Sequence, residues 1–140
     1  MRAGPIRMLP QVTPLSEAFW TGGATAELRI LCCHGCRYWI HPPAPVCPRC
    51  WSREVSPRTA SGRATVHTFT VNHQVWNPTW EHPYAIAVVE LAEQQGLRLT
   101  TNLVGISAEE VRIGMDVEVV FEQHEDVWLP LFAPVEGAGG

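Results

Sequence analysis

The chain has 140 residues, 46% of them hydrophobic, with a formal net charge of −4 and no lysine among its basic residues. That length fits one domain, or one small domain with a metal-stapled appendage, and can bury a modest core. No apolar run approaches the roughly 20 residues of a membrane span, and Ile6 to Leu9 is too short for a secretory signal before Pro10 ends it, so a soluble chain in a reducing cytoplasm is expected.

Up to about Val12 there is no periodic pattern, as in a loose arm. Thr13-Pro14 then offers an N-cap and a proline for the first helical position. Leu15, Ala18 and Phe19 fall on one helical face before Gly22-Gly23 stops it. Residues 1–25 therefore read as an arm and a short amphipathic helix. Trp20 beside Phe19 gives the helix more aromatic surface than one narrow stripe buries, which makes both residues candidates for contact with a partner or substrate.

Residues 26–58 carry the strongest chemical signal. Glu27 to Leu31 alternates and leads as a strand into Cys33-His34-Gly35-Cys36. Ten residues later comes Cys47-Pro48-Arg49-Cys50, and Trp51 to Ser56 reads as the outgoing strand. Each CxxC pair forms a tight knuckle with two thiolates on one side of a turn, and two facing knuckles complete a tetrahedral sulfur site, as in a zinc ribbon. Pro42, Pro43, Pro45 and Pro48 keep the intervening stretch extended or turning. Zinc is the expected metal at Cys33, Cys36, Cys47 and Cys50, with iron in a rubredoxin-like site as the competitor, since four thiolates accept either. A shell filled by thiolates leaves no position for water, so the metal reads as structural. Using Cys32 instead of Cys33 would stretch the first spacing to CxxxC, so Cys32 reads as a buried thiol ending the strand. His34 and His41 read as ordinary ribbon residues.

From Ser61 the character becomes all-β, and residues 59–135 read as a barrel. Ala64 to Val71, Tyr84 to Leu91, Leu97 to Leu103, Asp116 to Glu122 and Trp128 to Phe132 are strand candidates separated by turn residues. In the fourth, Val117, Val119 and Phe121 alternate with Asp116, Glu118 and Glu122, the pattern of a half-buried antiparallel strand. Ser107 and Glu110 have capping-box spacing for one helical turn between the third and fourth. Five strands with a helical insertion after the third describe an OB-fold. Between the first two strands, Asn72 to Pro83 holds Trp76 and Trp80 around an Asn-Pro turn. Such tryptophans are costly to expose, so they too are candidates for partner or substrate contact. Residues 136–140 read as a disordered tail.

Charge divides along the same boundary. Between Arg29 and Arg63 there are six arginines against Glu54, whereas Glu81 to Glu136 holds eleven acids against Arg98 and Arg112. A basic ribbon with Arg37, Arg49 and Arg53 suits a phosphorylated ligand or an acidic partner. An acidic barrel repels a nucleic-acid strand, which leaves nucleic-acid binding a distant alternative. No Ser/His/Asp or Cys/His set is recognisable and the metal is saturated, so no catalytic residue is named.

A short helix with Phe19-Trp20, a CxxC/CxxC ribbon and a five-stranded barrel, in that order, resembles the family of small acyl-CoA-associated proteins known as domain of unknown function 35. The resemblance runs from about Pro14 to Phe132. It rests on Pro14-Leu15, the knuckles with Pro42-Pro43 between them, Ser61-Gly62, Pro83-Tyr84, Ile113-Gly114 and Leu129-Pro130-Leu131-Phe132. The chain departs from the family pattern at Arg37, where glycine usually follows the second cysteine, at Ala44, where arginine often follows the paired prolines, and at Ala64, the second glycine of a GxG. The resemblance implies a thiolase-like partner in a hetero-oligomer, with the partner carrying the chemistry and this chain supporting an acyl-CoA site. Free-standing, lysine-poor versions look like the accessory subunit of steroid side-chain aldolases, which cleave a 17-hydroxy steroid acyl-CoA to a 17-ketosteroid and propionyl-CoA. Other relatives serve acyl transfer or hydroxymethylglutaryl-CoA synthesis.

Overall fold

A computed structural model describes residues 9–73 and 84–135. The opening arm before residue 9, the loop holding Trp76 and Trp80, and the tail 136–140 lie outside the described residues. Among the described residues no helix is long and apolar enough to cross a membrane.

The first helix, α1, spans Glu17–Thr21 and starts later than the Thr13-Pro14 signal suggests. The Ser16 N–H donates to the Thr13 carbonyl at 3.1 Å, and the Ser16 hydroxyl accepts the Thr13 N–H at 3.0 Å. The Thr13 hydroxyl in turn accepts the Ser16 N–H at 3.2 Å, so the two residues make the reciprocal bonds of a capping box around a turn at Pro14 to Ser16, and the helix proper follows that turn. Past α1 the chain tightens into a 3-10 turn at Gly22–Thr25. A β-carbon on Gly23 would stand 2.3 Å from Trp128 Cβ, so this glycine permits close approach to the barrel.

The ribbon is a three-stranded antiparallel sheet in the order β2-β1-β3, with β1 at Leu28–Cys33, β2 at Trp39–Ile40 and β3 at Val55–Ala60. The outgoing strand therefore begins at Val55, not at Trp51, whose φ of 65° lies in the left-handed region and breaks strand geometry. Ser61-Gly62 then turns the chain from β3 straight into the second sheet. Gly62 has φ of 81° and leaves no room for a β-carbon, which would meet Val119 Cγ1 at 2.6 Å.

That sheet has the order β6-β5-β4-β7-β8 and is antiparallel throughout, with β4 at Arg63–Asn72, β5 at Tyr84–Leu91, β6 at Arg98–Asn102, β7 at Asp116–His124 and β8 at Val127–Pro134. A bulge at His67 lets β4 bend, so that its start pairs with β7 while its whole length pairs with β5. The far edges meet through a parallel bridge between Leu103 and Phe132, with the Val104 N–H donating to the Phe132 carbonyl at 2.9 Å. This closes the sheet into the expected OB barrel. The insertion before β7 is a 3-10 turn at Ala108–Glu110, and the Ser107 hydroxyl accepts from Glu109 N–H rather than from Glu110.

Ribbon and barrel share a core. Phe19, Leu28, Ile30 and Trp39 are buried in one continuous cluster with Val66, Val89, Leu91, Val117 and Phe132. A second, smaller cluster of Leu31, Cys33, Ile40 and Cys47 lies at the knuckles. The seam between ribbon and barrel is also hydrogen-bonded: the Gln94 side chain accepts from Trp39 N–H at 2.9 Å and donates to its carbonyl at 3.0 Å.

Candidate functional site

β1 delivers Cys33 to the first knuckle at its buried end. The chain then reverses, with the Arg37 N–H donating to the Cys33 carbonyl at 2.8 Å. The second knuckle repeats the device, with the Trp51 N–H donating to the Cys47 carbonyl at 2.9 Å. All four sulfurs, of Cys33, Cys36, Cys47 and Cys50, lie within 4.8 Å of one another. Cys33 and Cys50 are 3.5 Å apart and Cys36 and Cys47 3.7 Å. A tetrahedron with metal–sulfur arms of about 2.3 Å has edges of about 3.8 Å, so the spacing suits a metal, whereas a disulfide would need about 2.05 Å. The cysteines are unbridged.

The electrostatics of the cluster make the same point. The backbone N–H of Cys36, aimed at the Cys33 sulfur, is the main reason that this thiol is pulled down to about 6. At Cys47 burial opposes ionisation, but the backbone N–H groups of Cys50 and Arg49 prevail and lower it. Cys50 goes the other way: the Ser52 N–H favours its thiolate, yet the sulfurs of Cys33, Cys36 and Cys47 outweigh that and push it up to about 12. Four thiolates cannot coexist at this spacing without a cation among them, and a bound divalent metal removes that conflict. Cys32 is buried on the opposite face of β1, within the shared core. The His34 ring meets the Ser56 hydroxyl, and neither it nor His41 joins the sulfur cluster.

A second feature lies at the seam. A cleft of about 520 Å³ opens where α1, the segment after β2, β6 and β8 converge, lined among others by Phe19, Trp20, His41, Pro42, Leu129 and Leu131. That is the size of a small-molecule pocket, and its walls are mostly apolar. Phe19 is buried, with Trp20 edge-on to it at 4.7 Å and the His41 ring at 4.9 Å. Burial holds the His41 imidazole below the ordinary histidine value. Arg98, paired with Glu90 at 3.6 Å, also lines the cleft. Nothing in the sequence marks His41 or β6 as cleft residues, because the cleft forms from segments far apart in the chain.

The sequence matches two adjoining family models. Residues 20–56 match the one described as "ChsH2, rubredoxin-like zinc ribbon domain", and residues 57–122 the one described as "ChsH2, C-terminal OB-fold domain". The chain belongs to the ChsH2 (DUF35) family. A solved structure titled "Ltp2-ChsH2(DUF35) aldolase" contains a chain 37% identical to this one, with a TM-score of 0.78, covering 90% of this chain and 98% of that one. A "Probable enoyl-CoA hydratase alpha subunit" of Thermomonospora curvata is 40% identical over 84% of this chain. A "3-oxo-4,17-pregnadiene-20-carboxyl-CoA hydratase alpha subunit" of Mycobacterium tuberculosis is 34% identical over 92%. The matched regions span only 37% and 40% of the lengths of those two subunits.

Within this ChsH2-type ribbon the arginines expected to carry charge surround the knuckles. Arg37, Arg49 and Arg53 are exposed, Arg49 lies 5.7 Å from the Tyr38 ring centroid, and none of the three meets a carboxylate among the described residues. Trp51, which lies between Arg49 and Arg53 in sequence, is 77% exposed. Its position answers that of Arg37, since each is the residue directly after the second cysteine of its knuckle and each has φ of 65°. The left-handed region costs a residue with a β-carbon about 1 kcal/mol, and glycine nothing. The non-glycine residue following CxxC was a legible signal at Arg37; the same test applied to the second knuckle finds Trp51.

Proposed function

We propose that this chain is a non-catalytic, zinc-stabilised subunit that docks on a thiolase-like enzyme and supports its acyl-CoA site. The reaction served is retro-aldol cleavage of a steroid side-chain CoA thioester. The observation that carries this reading is the near-complete correspondence, over 98% of its length, to the DUF35 chain of an aldolase. The pregnadiene-carboxyl-CoA name of a second relative supplies the steroid and the thioester. Acyl transfer and hydroxymethylglutaryl-CoA synthesis have no comparable support among these relatives.

The four cysteines would hold zinc, which supplies rigidity to the knuckles and no open coordination position for a substrate. In this reading Phe19 forms the floor of the seam cleft and Trp20 its wall, where an apolar part of a partner or acyl group would rest. The cleft in this reading contributes shape and exclusion of water. Arg37, Arg49 and Arg53 would steer the phosphates of CoA or an acidic partner face. Trp76 and Trp80 stay candidates for the same contacts.

Co-expression with a thiolase-like gene product encoded beside this chain tests the reading. A stable complex whose aldolase activity requires both chains is expected. A partner that is soluble and fully active alone, and that does not co-purify with this chain, overturns it.

A further inference from the structure

The knuckle tips spend conformational energy on exposed side chains. Both residues that follow a CxxC pair, Arg37 and Trp51, occupy the left-handed region in which glycine would be strain-free. Neither side chain supports the fold from there, since both are exposed, Trp51 more than any other large apolar residue described. The backbone bonds that close the knuckles, from Arg37 N–H to Cys33 and from Trp51 N–H to Cys47, need no side chain at all. Strain kept where it brings no packing points to a use outside the chain.

We infer that Trp51, flanked in sequence by the exposed Arg49 and Arg53 and with the exposed Arg37 at the equivalent position of the other knuckle, is the anchor of a docking surface for an acidic protein face with an apolar socket for the indole ring. Tryptophan and arginine are the residues that dominate protein interfaces when desolvated together. The three arginines have no carboxylate partner among the described residues, which leaves their charge available to an acidic partner. A discrete acidic patch on a protein fits this surface better than a nucleic-acid strand, because a strand long enough to leave the knuckles meets a barrel whose sequence is strongly acidic. The four sulfurs lie within 4.8 Å of one another, so a metal held by them would fix both knuckle tips in one rigid frame and lower the ordering cost of binding.

This inference rests on the subunit reading and assigns that complex an anchor distinct from the seam cleft. Trp51→Gly is the informative variant, because it removes the indole while relieving the left-handed position. The purified variant should keep its metal and unfold at or above the wild-type temperature. Its affinity for the co-expressed thiolase-like subunit should drop about 30-fold or more, the scale of an interface hot spot. Arg37→Gly should cost less, roughly three-fold, mostly in the association rate and only at low salt.

If the wild type forms no complex, the subunit reading falls and this inference with it. If the wild type forms a complex and Trp51→Gly binds equally well, only the inference falls. It falls as well if Trp51-dependent binding goes to a fluorescent single-stranded oligonucleotide, or if Trp51→Gly abolishes a self-associated form of the chain while leaving the complex intact.

Discussion

The two faces of β1 belong to different kinds of core. Leu28, Ile30 and Cys32 point toward the barrel and join a large apolar cluster that also takes in Phe19, Trp39, Val89 and Phe132. Leu31 and Cys33 point the other way, into a cluster of four buried residues of which two are metal-site cysteines. Area burial can hold the first face in place, because every strand of the barrel contributes to it. The second face is too small for that, and its folding energy has to come from metal coordination. One strand thus carries both sources of stability, separated by the two-residue period of its side chains.

Metal removal should make the largest difference between the two faces. Structural zinc contributes an apparent 10–16 kcal/mol or so in small ribbons, so a strong chelator, or Cys47→Ser, should release the knuckles entirely. Hydrogen exchange is the direct measurement: amides of Leu31, Ile40 and Val55 should lose protection while those of β5 keep it. Simultaneous loss in both would show one cooperative unit and end the distinction. The converse perturbation is Phe132→Ala. Phe132 is completely buried and bridges the barrel edges at Leu103, so a loss of about 3–5 kcal/mol is expected, with the melting temperature falling by roughly 10 °C or more. Metal content should stay at one ion per chain at temperatures below that melt.

The seam itself is tested by Gln94→Ala. Removing this amide leaves the Trp39 N–H and carbonyl without partners at the junction of ribbon and barrel, at a cost of about 1–3 kcal/mol. If the barrel core alone held the ribbon in place, the variant would melt like the wild type. A loss in this range, with protection falling at β2 before β5, would mean that polar groups share the task.

How much of this could be read beforehand depended on how local the cause was. The cysteine spacing, the alternation of Val117, Val119 and Phe121, and the turn residues between strands are local patterns, and they led to ribbon and barrel in the right order. The capping signal at Thr13 is met by its bonds with Ser16, but the first residues after it form a turn, so α1 starts only at Glu17. The strand after the second knuckle starts four residues later than the Trp51 to Ser56 reading because the left-handed residue comes at Trp51. Cys32 and Cys33 were separable by spacing alone, and the pleat then sends them to opposite faces. The cleft was not visible at all, since β6, β8, α1 and the Pro42-Pro43 segment meet only once the barrel has closed.

The smallest expected effect concerns His41, which lies where those segments converge and bears on whether the seam is dry. Burial lowers its pKa from the ordinary 6.5, so the folded state favours the neutral ring. Above pH 6.5 both folded and unfolded chains carry neutral His41 and the fold bears no cost. As pH falls below 6.5 the unfolded chain takes up a proton that the folded chain resists, so stability declines until the folded pKa is reached and then levels off. His41→Gln cannot titrate, so the slope of its urea midpoint between pH 7.5 and pH 5.5, with metal content checked at each point, should be shallower than that of the wild type. Equal slopes would mean that water reaches the imidazole, and the cleft would then offer an apolar ligand or a partner side chain a wet wall at His41 instead of the dry one its Phe19 contact implies.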